Sequence, residues 1–419
     1  MSVTDHSFLS AIYVLFVSVI AIYVIFNVTY CLWLLIVAAT ARICPRKLTE
    51  RTAVPTSFCI LVPAHDEEQV IRETLSTLVQ LTYPADLYSI YVIADNCSDR
   101  TAEIASEFPA VHVLQRHNED EKSKGYALNW AIESLRLLDS IDAFVIVDAD
   151  TRVDTLFLRE MDTARRACPE GRFAAQGRYD VANPAESRRT ALMAGAMSLV
   201  HVVRPAARER LGLTVGLKGN GMCFDKSIMC ALPWRGEALA EDLDYCLDLL
   251  EKFNIRVQFV PTARLAALMP TTNEGAASQR NRWENGRLSS ASKRAGVLLW
   301  KGIIHGNIVF VDAAIDLLSP ALVQLTVMLA LWLILLVPLY MLHGSWQVLA
   351  SLAGYSTFAM ILYVFAGFAI GDAPKLAYSA LPYALGYAAW KVLLRLKRRH
   401  SADTAWVRTP REESPAAKK

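Results

Sequence analysis

The chain is expected to fold as an α/β protein with a mostly parallel sheet, carrying transmembrane helices at both ends. Three observations predict this. Strand-length apolar runs alternate with amphipathic helical stretches between about residues 58 and 147. Residues 8–41 are almost unbroken apolar sequence, and two more apolar runs follow near residues 321–343 and Gln347–Ile370. The whole 419-residue chain is 53% hydrophobic with a mean hydropathy of +0.27, too apolar for an ordinary water-soluble enzyme.

Residues 8–41 exceed the roughly 20 residues that cross a hydrocarbon core, so one long helix projecting past the bilayer is expected, in preference to a tight hairpin. A cleaved leader is disfavoured. The residues ahead of the run hold no Lys or Arg, and the run far exceeds the ~7–15 residues of a signal-peptide core. Arg42, Arg46, Lys47 and Arg51 follow it. Basic residues stay on the cytoplasmic side, which predicts an outer amino terminus and a cytoplasmic domain.

Phe58-Cys59-Ile60-Leu61-Val62 reads as a strand buried on both faces. Asp66, Glu67 and Glu68 are expected to open a helix with Ile71, Leu75 and Leu78 on one face. A second strand over residues 90–94 ends at Asp95, and Asn96-Cys97-Ser98-Asp99 is a turn that caps the next helix. Residues 111–114 make a third strand. A helix over about 125–138 precedes a fourth strand at 143–147, which ends at Asp148. In open α/β sheets ligands sit at the carboxyl ends of the strands, where Asp95 and Asp148 both stand.

The organisation that follows is an anchor at 1–44, an α/β domain at 45–300, transmembrane and interfacial helices at 301–398 and a polar tail at 399–419. Residues 377–394 hold Pro382 and lead into Arg395, Lys397, Arg398 and Arg399, so they are expected to lie on the membrane surface rather than cross it. Residues 188–210 mix arginines with apolar residues and read as a helix on the membrane or within the domain. The net charge of +2 gives no reason to expect nucleic acid as a partner. The eight cysteines show no C-x-x-C or zinc-like spacing and read as reduced thiols.

The chemistry is expected from a few polar residues. Two carboxylates just past a strand end, Asp148 and Asp150, suit a divalent cation (Mg2+ or Mn2+) that also holds adjacent phosphates. Asp150 is the expected metal ligand and Asp148 a contact to a nucleotide sugar. Asp95 is placed to accept a hydrogen bond from a uracil imide, with Pro63, His65 and Glu67 forming the other wall of that pocket. Lys124-Gly125, ahead of a helix carrying Asn129, suits a diphosphate.

Glu241-Asp242 opens a helix with Leu243, Leu247 and Leu250 on one face. The helix dipole favours the ionised carboxylate there, and Asp242, with Glu241 beside it, is the expected catalytic base for an attacking hydroxyl. Gly219-Asn220-Gly221 is a tight backbone that an acceptor can approach. Gln279, Arg282 and Trp283 sit in the run Ser278-Gln279-Arg280-Asn281-Arg282-Trp283. The Arg282 fork suits diphosphate oxygens, and the Trp283 indole suits a sugar ring of donor or acceptor. The same run also reads as an interfacial belt ahead of a membrane segment.

Taken in order, Asp95, Asp148-Ala149-Asp150, Glu241-Asp242 and Gln279 to Trp283 resemble the membrane-anchored family 2 glycosyltransferases, the group that includes cellulose, chitin and hyaluronan synthases. The resemblance covers nearly the whole chain. It implies a GT-A fold, a UDP-sugar donor, a divalent metal and a multi-pass bacterial inner-membrane enzyme. Such an enzyme transfers a hexose, with inversion, to a lipid-linked or glycan acceptor in exopolysaccharide or cell-envelope synthesis. Membrane lipid and polysaccharide-export proteins are the partners such a role implies. Trp406-Val407-Arg408-Thr409 looks like the cytoplasmic tail of short bacterial members.

Two departures matter. Ala240 stands where the family has threonine before the two acids. Leu217-Lys218-Gly219-Asn220-Gly221 stands where cellulose-type members carry Phe-Phe-Cys-Gly. The few spans leave little material for a translocation channel, so single addition to a lipid carrier is expected ahead of processive β-glycan synthesis. A catalytically silent subunit that keeps the fold is the third alternative.

Overall fold

Four parallel strands build one half of an eight-stranded sheet. Their order is β3 (Val111–Arg116), β2 (Tyr88–Asp95), β1 (Phe58–Ala64) and β4 (Ala143–Ile146). Crossovers α2 (Ile71–Leu78), α3 (Thr101–Ser106) and α4 (Lys124–Leu135) link them. Side chains alternate along each strand. Phe58, Ile60 and Val62 pack with Ile71, Leu75 and Leu78 of α2, whereas Cys59 and Leu61 face Ala127, Leu128 and Ala131 of α4. The computed structural model describes residues 3–44, 51–136 without 53, 140–236, 240–271, 273–343 and 347–386 without 385, with only the backbone at 3–10, 273–282 and 339–343.

The other half is mixed. After β5 (Thr151–Val153) and α5 (Phe157–Arg166) comes β6 (Ala174–Val181), then, beyond a helical excursion, β7 (Met222–Asp225). Helices α6 (Arg188–Met197) and α7 (Arg204–Arg210) make that excursion, joined by a π-helical turn at Ser198–Val203. Next come α8 (Lys226–Ala231), α9 (Glu241–Phe253) and β8 (Gln258–Ala267). β7 lies antiparallel to β4 and β6, β8 parallel to β6, and β5 antiparallel to β8. Parallel pairings remain the majority. None of β5 to β8 was expected from the sequence.

Asp66, Glu67 and Glu68 do not open α2, which begins at Ile71. Asp66 sits in the left-handed region at φ 54, and its carboxylate accepts the Ser98 and Asp99 amides at 2.6 and 3.2 Å. It braces the neighbouring turn instead of capping its own helix.

α1 (Val3–Ile43) is one continuous helix and not a hairpin. α10 (Asn273–Ile304) leaves the sheet, and α11 (Ile308–Leu318), α12 (Leu322–His343), α13 (Gln347–Ile370) and α14 (Lys375–Ser379) follow. Three stretches are long and apolar enough to cross a membrane: Ala11–Ile43, Arg188–Arg210 and Gln347–Ile370. The middle one is 67% buried, against 28% for the other two, so it works as an internal strut. Ile308–Leu318 and Leu322–Pro338 pass together as a pair bent by 68°. The bend falls at Ser319-Pro320, where proline cannot donate to the helix ladder. The start of the expected interfacial segment packs as α14 against α6. Residues 385 and 387–394 of that segment and the tail with Trp406 to Thr409 lie outside the described residues.

Ion pairs bind the sheet to these helices. Arg42, at the end of α1, meets Asp372 at 2.8 Å. Arg178 of β6 meets the other oxygen of Asp372 at 3.2 Å and donates to the Gly371 carbonyl at 3.1 Å. Arg294 of α10 meets Asp248 of α9 at 2.8 Å.

Close approach at β7 requires glycine. Gly221 has φ +68, and a Cβ there would collide with the Leu265 side chain. Gly221→Ala is expected to lower stability by about 3 kcal/mol through left-handed strain and overpacking. The check is a lower urea midpoint at unchanged m-value in lipid nanodiscs.

Candidate active site

Asp95 closes β2 in register with Arg116 at the end of β3. Arg116 donates to Asp95 Oδ1 at 2.7 Å, the two side chains being 4% and 10% exposed. The Asn96 amide shares that oxygen at 3.1 Å. His65 Nδ1 lies 2.7 Å from the Asp95 carbonyl oxygen, and the Glu67 amide donates to the Thr101 hydroxyl at 2.7 Å. The turn from Pro63 to Glu67 therefore flanks Asp95, as expected. Arg116 was not foreseen, because nothing local marks it and its partner appears only with the β2–β3 register. β1 separates β2 from β4, so Asp95 and Asp148 stand about 10 Å apart, two strand spacings.

Beyond β4 a small loop organises the rest. The Asp148 amide donates to Asn220 Oδ1 at 3.1 Å, and Asn220 Nδ2 donates to the Thr151 hydroxyl at 2.7 Å. The Asn220 carbonyl accepts from Gln176 Nε2 at 2.7 Å, while Gln176 Oε1 accepts the Lys218 amide at 2.9 Å. Asn220 is fully buried and Gln176 nearly so. The Asn220 side chain thus stands behind the Asp148–Asp150 turn, leaving the loop's backbone at Gly219 as the part that faces the site. Gly219 at φ +79 provides the bend.

Lys124 is the first residue of α4, whose N-cap is Ser123. Its ammonium bridges Asp148 Oδ1 and the Gly219 carbonyl. A Cβ at Gly125 would lie 2.5 Å from Glu241 Oε2, so the glycine admits the Glu241 carboxylate to the first turn of α4, where the dipole favours it. Asn129 pairs with both backbone groups of Trp234, at 2.9 and 2.8 Å, and is structural.

Asp242 lies in the first turn of α9. A Cβ at Gly219 would sit 3.6 Å from its Oδ2. The fold therefore gathers Asp148, Lys124, Gly219, Glu241 and Asp242 at one end of the sheet. Burial pushes the Asp242 carboxyl above the usual aspartate range, against the Leu243 amide and the Lys218 and Lys124 cations. Trp283 is 39% exposed on α10. The Gln279 and Arg282 side chains lie outside the described residues.

Asp148 and Asp150 fit a divalent ion. Both are hard oxygen donors, and Asp148 already draws a cation while 35% exposed. Asp66, Cys97 and Asp99 also bring possible ligand atoms within 4.8 Å of one another. There the carboxylates are engaged by the Ser98, Asp99 and Thr101 amides of the turn.

Asn220→Ala would strand the Asp148 amide and lower divalent-dependent UDP affinity about tenfold, the equivalent of ~1.4 kcal/mol. Asn220→Asp keeps the accepting oxygen and should bind UDP more tightly than the alanine variant. Isothermal titration of both variants is the check.

A family model described as "Glycosyltransferase like family 2" matches residues 55–286. A β-monoglucosyldiacylglycerol synthase from Trichormus variabilis is 32% identical over 234 residues, covering 54% of this chain and 48% of that one. A poly-β-1,6-N-acetyl-D-glucosamine synthase from Staphylococcus epidermidis is 26% identical over 228 residues, 54% of this chain and 53% of that one. The chain thus spans about half the length of the curated relatives it matches. A solved mannosyltransferase from Pyrobaculum calidifontis, in complex with GDP-Man and Mn2+, is 16% identical with a TM-score of 0.49, covering 83% of this chain and 99% of that one. The family match runs from ahead of β1 into α10 and takes in every strand of the sheet. The chain belongs to the family 2 glycosyltransferases, enzymes that draw on nucleotide-sugar donors and carry the GT-A fold.

Proposed function

We propose that this glycosyltransferase moves a hexose from a UDP-sugar, with inversion, to a lipid-linked acceptor at the cytoplasmic face of a bacterial inner membrane. One observation carries the reading: a single buried loop, 218–221, holds the Asp148 turn on one side and Asp242 on the other.

In the proposed reaction the base sits near Asp95 and Arg116, and the diphosphate near Asp148 and Lys124. The acceptor hydroxyl attacks the anomeric carbon, and its proton passes to Asp242. The bond from that carbon to the diphosphate oxygen breaks and UDP leaves. A single displacement of this kind inverts the anomeric centre. Asp242 is suited to the role because a carboxylate with a raised pKa is a stronger base. Asp148 and Asp150 would hold a divalent ion, which would supply Lewis-acid neutralisation of the leaving diphosphate. Gln279, Arg282 and Trp283 complete the donor side in this reading.

Membrane placement is supported by the apolar stretches Ala11–Ile43 and Gln347–Ile370, by the bent pair Ile308–Leu318 and Leu322–Pro338, and by the basic residues after α1. The Trichormus relative is named for a glycolipid product, which supports a lipid acceptor. The Staphylococcus relative is named for a polymer, which supports processive synthesis as the second reading.

In nanodiscs with a panel of UDP-sugars, Mg2+ or Mn2+, and native lipid extract added or withheld, UDP release is expected only with the lipid, giving a product one sugar heavier. A ladder of glycans without added lipid would establish the processive reading instead. Asp242→Asn should abolish transfer while UDP binding persists; full activity in that variant removes the base assignment. The acidic limb of kcat/KM against pH is expected above the ordinary aspartate value of 3.8. Lys218→Met, which deletes a cation that favours the ionised Asp242, should move that limb to still higher pH.

A further inference from the structure

A cluster of buried charges lies where the strut α6–α7 meets α1 and α11, and the reaction above makes no use of it. Its entrance is the π-helical turn Ser198–Val203, a departure that recurs at functional sites. Arg204 and Arg208 follow the turn, four residues apart and so on one face of the helix.

Arg208, 3% exposed, holds the two carboxylates most closely, although its Nε, like that of Arg204, has no hydrogen-bond partner. It lies 2.9 Å from Asp316 Oδ1 and 3.1 Å from Asp312 Oδ2, and donates to the Tyr30 hydroxyl at 2.8 Å. Tyr30 in turn donates to Asp312 Oδ1 at 2.6 Å. Both carboxylates are therefore committed to Arg208 and Tyr30.

Arg204 is left over. It is 7% exposed, and its nearest carboxylate oxygen is the same Asp316 Oδ1, 4.0 Å away. Its other contact is Cys31 Sγ of α1, also at 4.0 Å, and its Nε has no hydrogen-bond partner. Arg287 of α10 adds a cation whose hydrogens go to the Asp316 and Ser319 carbonyls that end α11. Lys218, next to the active-site glycine, adds another. Among the described residues the guanidiniums of Arg204, Arg208 and Arg287 thus share the carboxylates of Asp312 and Asp316, while Lys218 also faces Asp242. A buried guanidinium whose nearest carboxylate oxygen lies 4.0 Å away and is shared with Arg208 is weakly compensated, and an ionisable group between apolar helices marks a functional site with a partner still to be named.

We infer that the further partner is a phosphate carried by the lipid acceptor, gripped by Arg204. A phosphate offers the several oxygens an arginine fork pairs with. Arg204 faces α1, one of the helices suited to crossing a membrane, so the anion arrives from the bilayer side. This inference rests on the lipid-acceptor reading and narrows it: the acceptor is a lipid phosphate or diphosphate ester of a sugar, not a neutral glyceride.

The test uses the full chain in net-neutral nanodiscs with its UDP-sugar donor and two acceptors of matched chain length, a polyprenyl diphosphoryl hexose and an alkyl glucoside. The phosphate-bearing acceptor is expected to have a KM about tenfold lower. Arg204→Gln should raise that KM about tenfold and leave the glucoside unchanged, with Arg204→Lys recovering part of the loss. Equal KM values in the unmodified enzyme, or equal effects of Arg204→Gln on both acceptors, would overturn the inference. If phosphatidylglycerol in the disc stimulates transfer to the glucoside and Arg204→Gln removes that stimulation, the phosphate belongs to a bystander lipid and the acceptor assignment falls. Dodecyl phosphate, which needs no turnover, should raise the melting temperature of the unmodified protein and not of Arg204→Gln; no shift in the unmodified protein counts against the site. Transfer to neither acceptor, with the dodecyl phosphate shift intact, would defeat the lipid-transfer reading while leaving the anion site standing.

Discussion

Two buried amides keep this molecule in register. Asn220 stands just ahead of β7, at the seam where the parallel half of the sheet gives way to the mixed half, and Gln176 lies on β6 in register with Met222 of β7. Four hydrogen bonds run through them, to the Asp148 amide, the Thr151 hydroxyl, the Asn220 carbonyl and the Lys218 amide. Each group is out of reach of water, so none can be lost without leaving a buried donor or acceptor unmatched. The seam is also where the two halves of the candidate chemistry meet: acids that follow β4 on one side, the start of α9 on the other.

Helix ends supply the second level of order. The first turns of α4 and α9 converge on the same loop, so the partial positive charges of two helices face a cluster of carboxylates. Glu241 answers the end of α4 and Lys124 answers Asp148. Glycine at 125 and 219 allows the packing, one by removing a side chain and the other by accepting a left-handed turn.

Much of the first half of the fold was legible in the sequence because β1, the end of β2 and β4 are buried on both faces and therefore read as apolar runs. The later strands were not. β6 carries Gln176, Arg178 and Asp180 along its length; Gln176 and Arg178 are matched by groups far away in sequence, and Asp180 by Arg178 itself. α11 was missed for a related reason: Asp312 and Asp316 interrupt its hydropathy, yet both are matched by Arg208. Among the site residues, Asp95, Asp148, Glu241 and Asp242 stood out as acids at the ends of recognisable elements. Arg116 and Gln176 did not, since their roles depend on strand neighbours that composition does not reveal. Asn220 was legible as part of a tight loop, but its inward orientation was not.

The joints between sheet and apolar helices bear on where this protein can be divided. The stretch matched by the family model stops at residue 286, inside α10. Arg178, deep in the sheet, depends on Gly371 and Asp372, and Arg208 depends on Asp312 and Asp316. A fragment cut at the edge of the matched stretch would leave Arg178 with Asp180 alone and Arg208 without either of its carboxylates. The catalytic module recognisable by sequence is therefore shorter than the cooperative unit, which extends at least to Asp372.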